Sequence, residues 1–250
     1  MITLRLEFQK IKRKKIGLTM AAFMGILFAW LFWATSNPTE RELHQGWLAH
    51  LQTQPLLCAI MMPTIMSVLA SRLADIEHKG NTYKQLKTLR TAGALFHAKA
   101  LCGFLFILAM TAANYLFLLA LGYGLGYVGN PDPKAYLFSF VLQAACCLSL
   151  YLLQLDLSLL FFNQMIPLVI GLCGSMLGVI LMYLKTYSFL PWGGFLSSAI
   201  VMMDWNAETR IINYYYRSFT AMELFALAMI PIWIAIFYIA GGILFTRKES

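Results

Sequence analysis

The chain reads as an all-α integral membrane protein with six transmembrane helices, and three observations point there. Six apolar stretches are each long enough to cross a bilayer, the charged residues lie almost entirely between them, and hydrophobic residues reach 60% against 12% charged. About 20 apolar residues span the roughly 30 Å hydrocarbon core as a helix, because lipid offers the backbone no partners and a helix satisfies its own amides. A water-soluble globule of this composition would have nowhere to put its apolar surface. Residues 1–250 read as a single membrane domain, since no segment outside the spans is long enough for a separate soluble one.

Ahead of the first span, Leu4, Phe8 and Ile11 share one helical face, while Arg5, Lys10, Lys12, Arg13 and Lys14 fall elsewhere. This fits a short amphipathic helix lying in the membrane interface, with its apolar side in lipid and its cations on phosphates. A basic flank that merely sets orientation fits equally. Gly17 to Thr35 is the first span. Ala34-Thr35-Ser36 resembles a signal cleavage site, but the stretch is too long and more spans follow, so an uncleaved helix is the better reading.

Ser36 to Gln54 reads as a loop carrying Glu40, Arg41, Glu42, His44 and His50, and its two histidines lack metal-site spacing. Pro55 to Leu73 is the second span. The connection Arg72 to Lys99 then carries Asp75, Glu77, Lys79, Gly80, Asn81, Thr82, Tyr83, Lys84, Lys87 and Arg90. Within it Tyr83, Leu86 and Leu89 form an imperfect apolar stripe, which suggests a short surface helix with Gly93 as its stop. A helix that neither spans the membrane nor is fully solvated invites a protein partner; a solvated basic loop is the alternative.

Ala100 to Tyr123 is the third span, followed by a tight turn at Asn130-Pro131-Asp132-Pro133. Ala135 to Leu155 is the fourth. A mid-span aspartate costs on the order of 2.5 to 3.5 kcal/mol, which places Asp156 near the span's end. Met165 to Leu184 is the fifth span and Leu224 to Phe245 the sixth. Between these two, Phe195 to Met203 is an apolar run about half a span long, bracketed by Pro191-Trp192-Gly193-Gly194 and Asp204-Trp205. Such a run suits a re-entrant or interfacial helix, with Tyr214, Tyr215, Tyr216 and Phe219 in the aromatic belt of the last span.

Charge sets the expected orientation. Lys and Arg number six in Met1 to Ile16, six in Arg72 to Lys99 and two after Phe245, against one, one and three in the alternate loops. Basic residues collect on the cytoplasmic side, so both termini are expected there, and the net charge of +8 reflects topology and not nucleic acid. The five cysteines fall in or beside spans and match no zinc or disulfide pattern.

The chain has no G-x-x-x-x-G-K-[ST], H-E-x-x-H, G-x-S-x-G or C-x-x-C motif, so it does not bind ATP through a phosphate loop. Intramembrane charges of the kind that mark proton-coupled carriers are scarce. Asn114 and Gln143 are expected to hydrogen-bond between helices, and Gly174 with Gly178 to permit close backbone approach. Pro63, Pro167 and Pro231 would each kink or loosen a span.

The ordered set of an amphipathic N-terminal helix, six spans, a polar loop after span two and a re-entrant segment before span six resembles the ABC type 2 exporter permeases. Glu77, Gly80, Thr82, Lys84 and Leu86, with Lys99 leading into span three, are similar to that family's loop pattern. The length and Leu190-Pro191-Trp192 look most like the permeases of lantibiotic-immunity and peptide-antibiotic exporters. The resemblance implies a non-catalytic, multi-pass subunit of a bacterial plasma membrane. It would pair with an identical or homologous permease and with two copies of a separate ABC ATPase, which would hold the ATP and Mg. Asn81 to Arg90 would be the coupling helix, docking the ATPase through Glu77, Gly80, Asn81, Thr82, Tyr83, Lys84, Leu86 and Lys87. Leu4, Phe8, Ile11, Lys12 and Arg13 would form the interfacial helix, and Trp192, Trp205, Tyr214, Tyr215 and Tyr216 are candidates for substrate contact or interfacial anchoring. A non-transporting sensor or scaffold, and more remotely an intramembrane enzyme, are the rival readings.

Overall fold

The computed structural model describes residues 14–36, 38–80, 92–183, 189–208 and 211–249. Helices α1 (Ile16–Thr35), α2 (Glu40–Gly80), α3 (Ala92–Gly124), α4 (Pro133–Leu160) and α5 (Met165–Tyr183) follow one another. A 3-10 turn, Pro191–Gly193, then runs into the short α6 (Gly194–Ser197). Strands β1 (Val201–Asn206) and β2 (Ile211–Tyr216) pair antiparallel, with Val201 opposite Tyr216 and Asn206 opposite Ile211, before α7 (Ala221–Glu249) closes the chain. Helices α1, α2, α3, α4 and α7 are long and apolar enough to cross a membrane, and α5 is a shorter apolar helix. The fold is that of a multi-pass membrane protein.

The largest departure from expectation is α2. Ser36 to Gln54 is not a loop: the helix begins at Glu40 and continues for 41 residues, about 60 Å, through Pro55 and Pro63. Its start is a reciprocal capping box. The Thr39 amide and hydroxyl donate to Glu42 Oε2 at 2.7 and 2.8 Å, and the Glu42 amide donates back to Thr39 Oγ1 at 3.4 Å. Leu43, Trp47 and Leu51 then recur on one face and join a compact cluster with Tyr115, Tyr127, Tyr136, Ile200 and Val201. Burial of that face repays the polar composition that made the segment look like a loop.

The turn between α3 and α4 is built as the Asn-Pro-Asp-Pro signal suggests. Asp132 Oδ1 accepts from the Lys134 amide at 3.0 Å, with Pro133 in the first turn of α4. Gly126 and Gly129 take φ of 75° and 82°, a left-handed backbone that side chains resist. Helix α4 runs on to Leu160, so Asp156 sits one turn from its end, as the insertion cost demands.

The segment between α5 and α7 is a second departure, and it adds a hairpin to the helices. Only Phe195 to Ser197 of the expected Phe195 to Met203 helix is helical; Val201 onward is extended. The β-branched and aromatic run Ile211-Ile212 and Tyr214-Tyr215-Tyr216 supplies a strand partner for it, which a helix could not use.

Helices α2 and α4 form the middle of the bundle: α2 packs most on α4 and α5, and α4 also carries α7. The apolar part of α2 is 67% buried, whereas α7 is 17% and α1 28% buried, so α1 and α7 present their apolar faces outward. Helix α5 seats on α2 through small residues and hydroxyls. Ser67 Oγ donates to the Pro167 carbonyl at 2.9 Å, Thr64 and Ser175 hydroxyls meet at 3.1 Å, and a Cβ on Gly171 would collide with Ser67.

Candidate functional site

Three places gather polar chemistry: the two ends of the bundle and a seam between them. At one end, α2 finishes at Gly80 and α3 starts at Ala92. Glu77 and Gly80 lie on the last turns of α2, while Asn81, Thr82, Tyr83, Lys84, Leu86 and Lys87 lie outside the described residues. Leu4, Phe8, Ile11, Lys12 and Arg13 lie outside them too. Gly93, expected as a stop, is the second residue of α3.

The feet of that connection are tied to the bundle. Lys99 is fully buried and its Nζ donates to the Leu73 carbonyl at 2.7 Å, a cation near the C-terminal half of α2. The Tyr151 hydroxyl of α4 donates to the Lys99 carbonyl at 2.8 Å. On the far side, the Tyr238 hydroxyl of α7 meets His97 Nδ1 at 2.8 Å. Gly241 of α7 approaches so closely that a Cβ there would collide with Asp156 Oδ1 and the Phe96 ring. Four helices therefore meet beside the connection, and Tyr151, His97 and Tyr238 carry no sequence signal that would have singled them out.

The seam lies between α2, α3 and α4. Gln54 Nε2 donates to Gln143 Oε1, and the Tyr115 hydroxyl donates to Ser139 Oγ at 2.6 Å. Cys58 Sγ accepts from Gln143 Nε2 at 3.3 Å, Gln54 Nε2 at 3.5 Å and Asn114 Nδ2 at 3.7 Å. All of these side chains are buried, so each bond removes a polar group from lipid. Asn114 and Gln143 do link helices, and their partners share a face of α2 at i and i+4.

At the other end, the start of α2, the α3–α4 turn and the hairpin pack together. Trp47 Nε1 donates to the Gly129 carbonyl at 3.2 Å, the Val128 amide to the Leu43 carbonyl at 3.0 Å, and the Tyr136 hydroxyl to the Trp47 carbonyl at 3.1 Å. The Trp47 ring meets Tyr123, Tyr127 and Tyr136 edge-on, and a Cβ on Gly122 would strike it. Burial pushes the Tyr127 phenol up to about 12, helped by Tyr214 and Glu42 nearby, so it remains a neutral hydroxyl at 3.1 Å from His50 Nε2.

The five residues singled out on this side part company. Tyr214 is docked, its amide donating to Gln45 Oε1 at 3.1 Å. Trp205 is 58% exposed, and Tyr215 and Tyr216 are exposed beside it on the hairpin. The Tyr216 hydroxyl reaches Asp132 Oδ2 at 3.4 Å, and burial together with that carboxylate raises its phenol above the ordinary range. Trp192 belongs to a different place: its ring lies against Gly174 inside the bundle, and its carbonyl approaches Gly178. Gly174 and Gly178 thus admit the Pro191–Ser197 turn as well as a neighbouring helix. Sequence reading passed over Arg217 and Glu223, whose buried side chains form an ion pair at the base of the hairpin; the one available signal was the capping box Thr220-x-x-Glu223.

Among the described residues no cluster of three or more His, Cys, Asp or Glu side chains is placed to hold a metal. Apolar spans, an interhelical polar seam and a long connector between α2 and α3 define an α-helical protein of the membrane. Its sequence matches, over residues 3–178, the family described as ABC-2 family transporter protein, and the chain belongs to that family. The match ends within α5, so the buried turn, the hairpin and α7 lie beyond it. Neither a curated protein nor a solved structure matches the chain. Membership implies an ATPase partner, since permeases of this family are typically non-catalytic transmembrane subunits.

Proposed function

We propose that the chain is the permease subunit of an ATP-driven exporter, moving an amphipathic molecule, a lantibiotic or another antimicrobial peptide, out of a bacterial plasma membrane. The family match over residues 3–178 carries this reading. Two copies of a separate ATPase bind the ATP and Mg, a second permease completes the pathway, and both termini face the cytoplasm. The Lys and Arg bias supports the orientation, and the missing phosphate loop supports a separate source of energy. The connector between α2 and α3 is the docking handle, because its feet are bonded to α4 and are in contact with α7. ATP does work only if the ATPases hold that handle differently in their two states.

Charge reversal of Lys84 and Lys87, or Leu86→Pro, tests the handle. The variants should stay in the membrane yet lose co-purification with the ATPase and lose export. Normal co-purification and export would overturn the docking assignment. In the reconstituted complex, a cationic lantibiotic should stimulate ATP hydrolysis; absence of stimulation together with ligand-dependent binding to a kinase would replace export with sensing.

A further inference from the structure

We infer that Arg217 and Glu223 are a positioning pair that latches the buried Pro191–Ala199 turn into the bundle and joins it to the hairpin and α7 as one unit. Nothing in the match to residues 3–178 reaches this part of the chain.

The turn is an insertion among four helices. Pro191, Gly193, Gly194, Phe195 and Ser197 are buried. A Cβ on Gly194 would sit 3.1 Å from Cys146 Sγ of α4 and 3.7 Å from Ile230 of α7. Trp192 lies against Gly174 of α5, and its carbonyl approaches Gly178 where the Ala59 carbonyl of α2 also comes close. Cys146 is thirteen residues into α4, so the insertion reaches about 20 Å down that helix. Helix α6 is a single turn of four residues and cannot hold its conformation unaided.

One guanidinium supplies what the turn lacks. Arg217 Nη1 donates to the Leu196 and Ala199 carbonyls, both at 3.3 Å, which places a cation at the C-terminus of α6. Its Nε and Nη2 donate to Glu223 Oε1 at 3.1 and 2.5 Å. Glu223 Oε2 accepts from the Thr220 amide at 2.6 Å and hydroxyl at 3.0 Å, so the same carboxylate caps α7. The Arg217 amide also donates to the Ile200 carbonyl at 2.9 Å, closing the hairpin base.

Two features make this a latch and not only a brace. The pair's side chains are 7% and 8% exposed, so a half-broken pair would leave a buried charge alone, and the contact is either whole or opened to water. Opposing it, Trp192 Nε1 is buried without an acceptor among the described residues, a cost the closed turn carries and an opened turn would shed. The pair and the indole therefore bias the turn in opposite directions, and the pair sets the balance.

Cys146, fully buried beneath Gly194, reports on the turn. In full-length protein in lipid vesicles, with Cys146 as the one thiol, N-ethylmaleimide should react slowly. Arg217→Ala and Glu223→Gln should speed alkylation at least about tenfold, the change that loss of even one charged hydrogen bond of the pair produces. The glutamine variant keeps an acceptor for Thr220, which separates the latch from the cap. A matched protein whose one thiol is Cys102, buried elsewhere in α3, should show no acceleration. Unchanged Cys146 rates would overturn the inference, as would equal acceleration at Cys102 or failure of both variants to accumulate folded, which would mark a folding element. No ATPase or substrate takes part, so the result stands apart from the export reading.

Discussion

Individual polar side chains do unequal work in this membrane protein. Gln54 and Gln143 satisfy each other across α2 and α4, while Tyr115 and Ser139 do the same between α3 and α4. Such bonds are worth roughly a kcal/mol or less each, because separated helices also find partners in the membrane. Gln143→Ala should therefore lower stability by about 1 kcal/mol, and with Gln54→Ala the losses should fall short of additive. Thermal unfolding in detergent across that double-mutant cycle measures this, and full additivity would break the pairing. The polarity of Asn114 and Gln143 was legible in the sequence. Their common neighbour Cys58 was not, since a cysteine in a span reads only as a small hydrophobe.

Elements were legible where hydrophobicity alone decides them. The span expected from Gly17 is α1, from Ile16. Met165 to Leu184, expected as the fifth span, is the helix α5, Met165–Tyr183, which is shorter than the five helices long and apolar enough to cross a membrane among the described residues. Expectation failed where a polar segment is stabilised by one buried face, as at the start of α2. The Thr39-x-x-Glu42 box and the Leu43, Trp47, Leu51 spacing were both present, but the charges of Glu40 to His44 masked them. Thr39→Ala should cost about 1 kcal/mol at that end only. Hydrogen exchange of the amides at 40–43 should then quicken while mid-helix amides stay protected; unchanged exchange would show that packing and not the cap starts α2. The hairpin was missed for a related reason. Phe195 to Met203 is apolar enough for a helix, and its partner strand lies across a turn that periodicity does not count.

For the molecule as a whole, the arrangement separates a buried middle from an outward-facing rim. Helices α2 and α4 are the centre, and α1 and α7 form the rim, packed against it with most of their surface exposed. Orientation belongs to this scale, because every span must agree with the charge bias at once. Trp205→Cys, on the exposed hairpin of a protein with its own thiols removed, should be labelled in intact cells by a membrane-impermeant maleimide. Labelling only in inverted vesicles would invert the topology and move the proposed docking handle to the wrong side.

Hydropathy and charge along the chain were enough to establish a membrane protein of several spans and an expected orientation, because lipid selects apolar length and phosphates select cations without regard to neighbours. The family resemblance rested instead on the order of the elements and on the loop residues Glu77, Gly80, Thr82, Lys84 and Leu86. Which helices lie at the centre, why α2 extends past its apolar part, and how Arg217 joins a buried turn to α7 were decided only by tertiary contact. Those outcomes depend on which distant groups satisfy one another once water is gone, and no local pattern encodes that pairing.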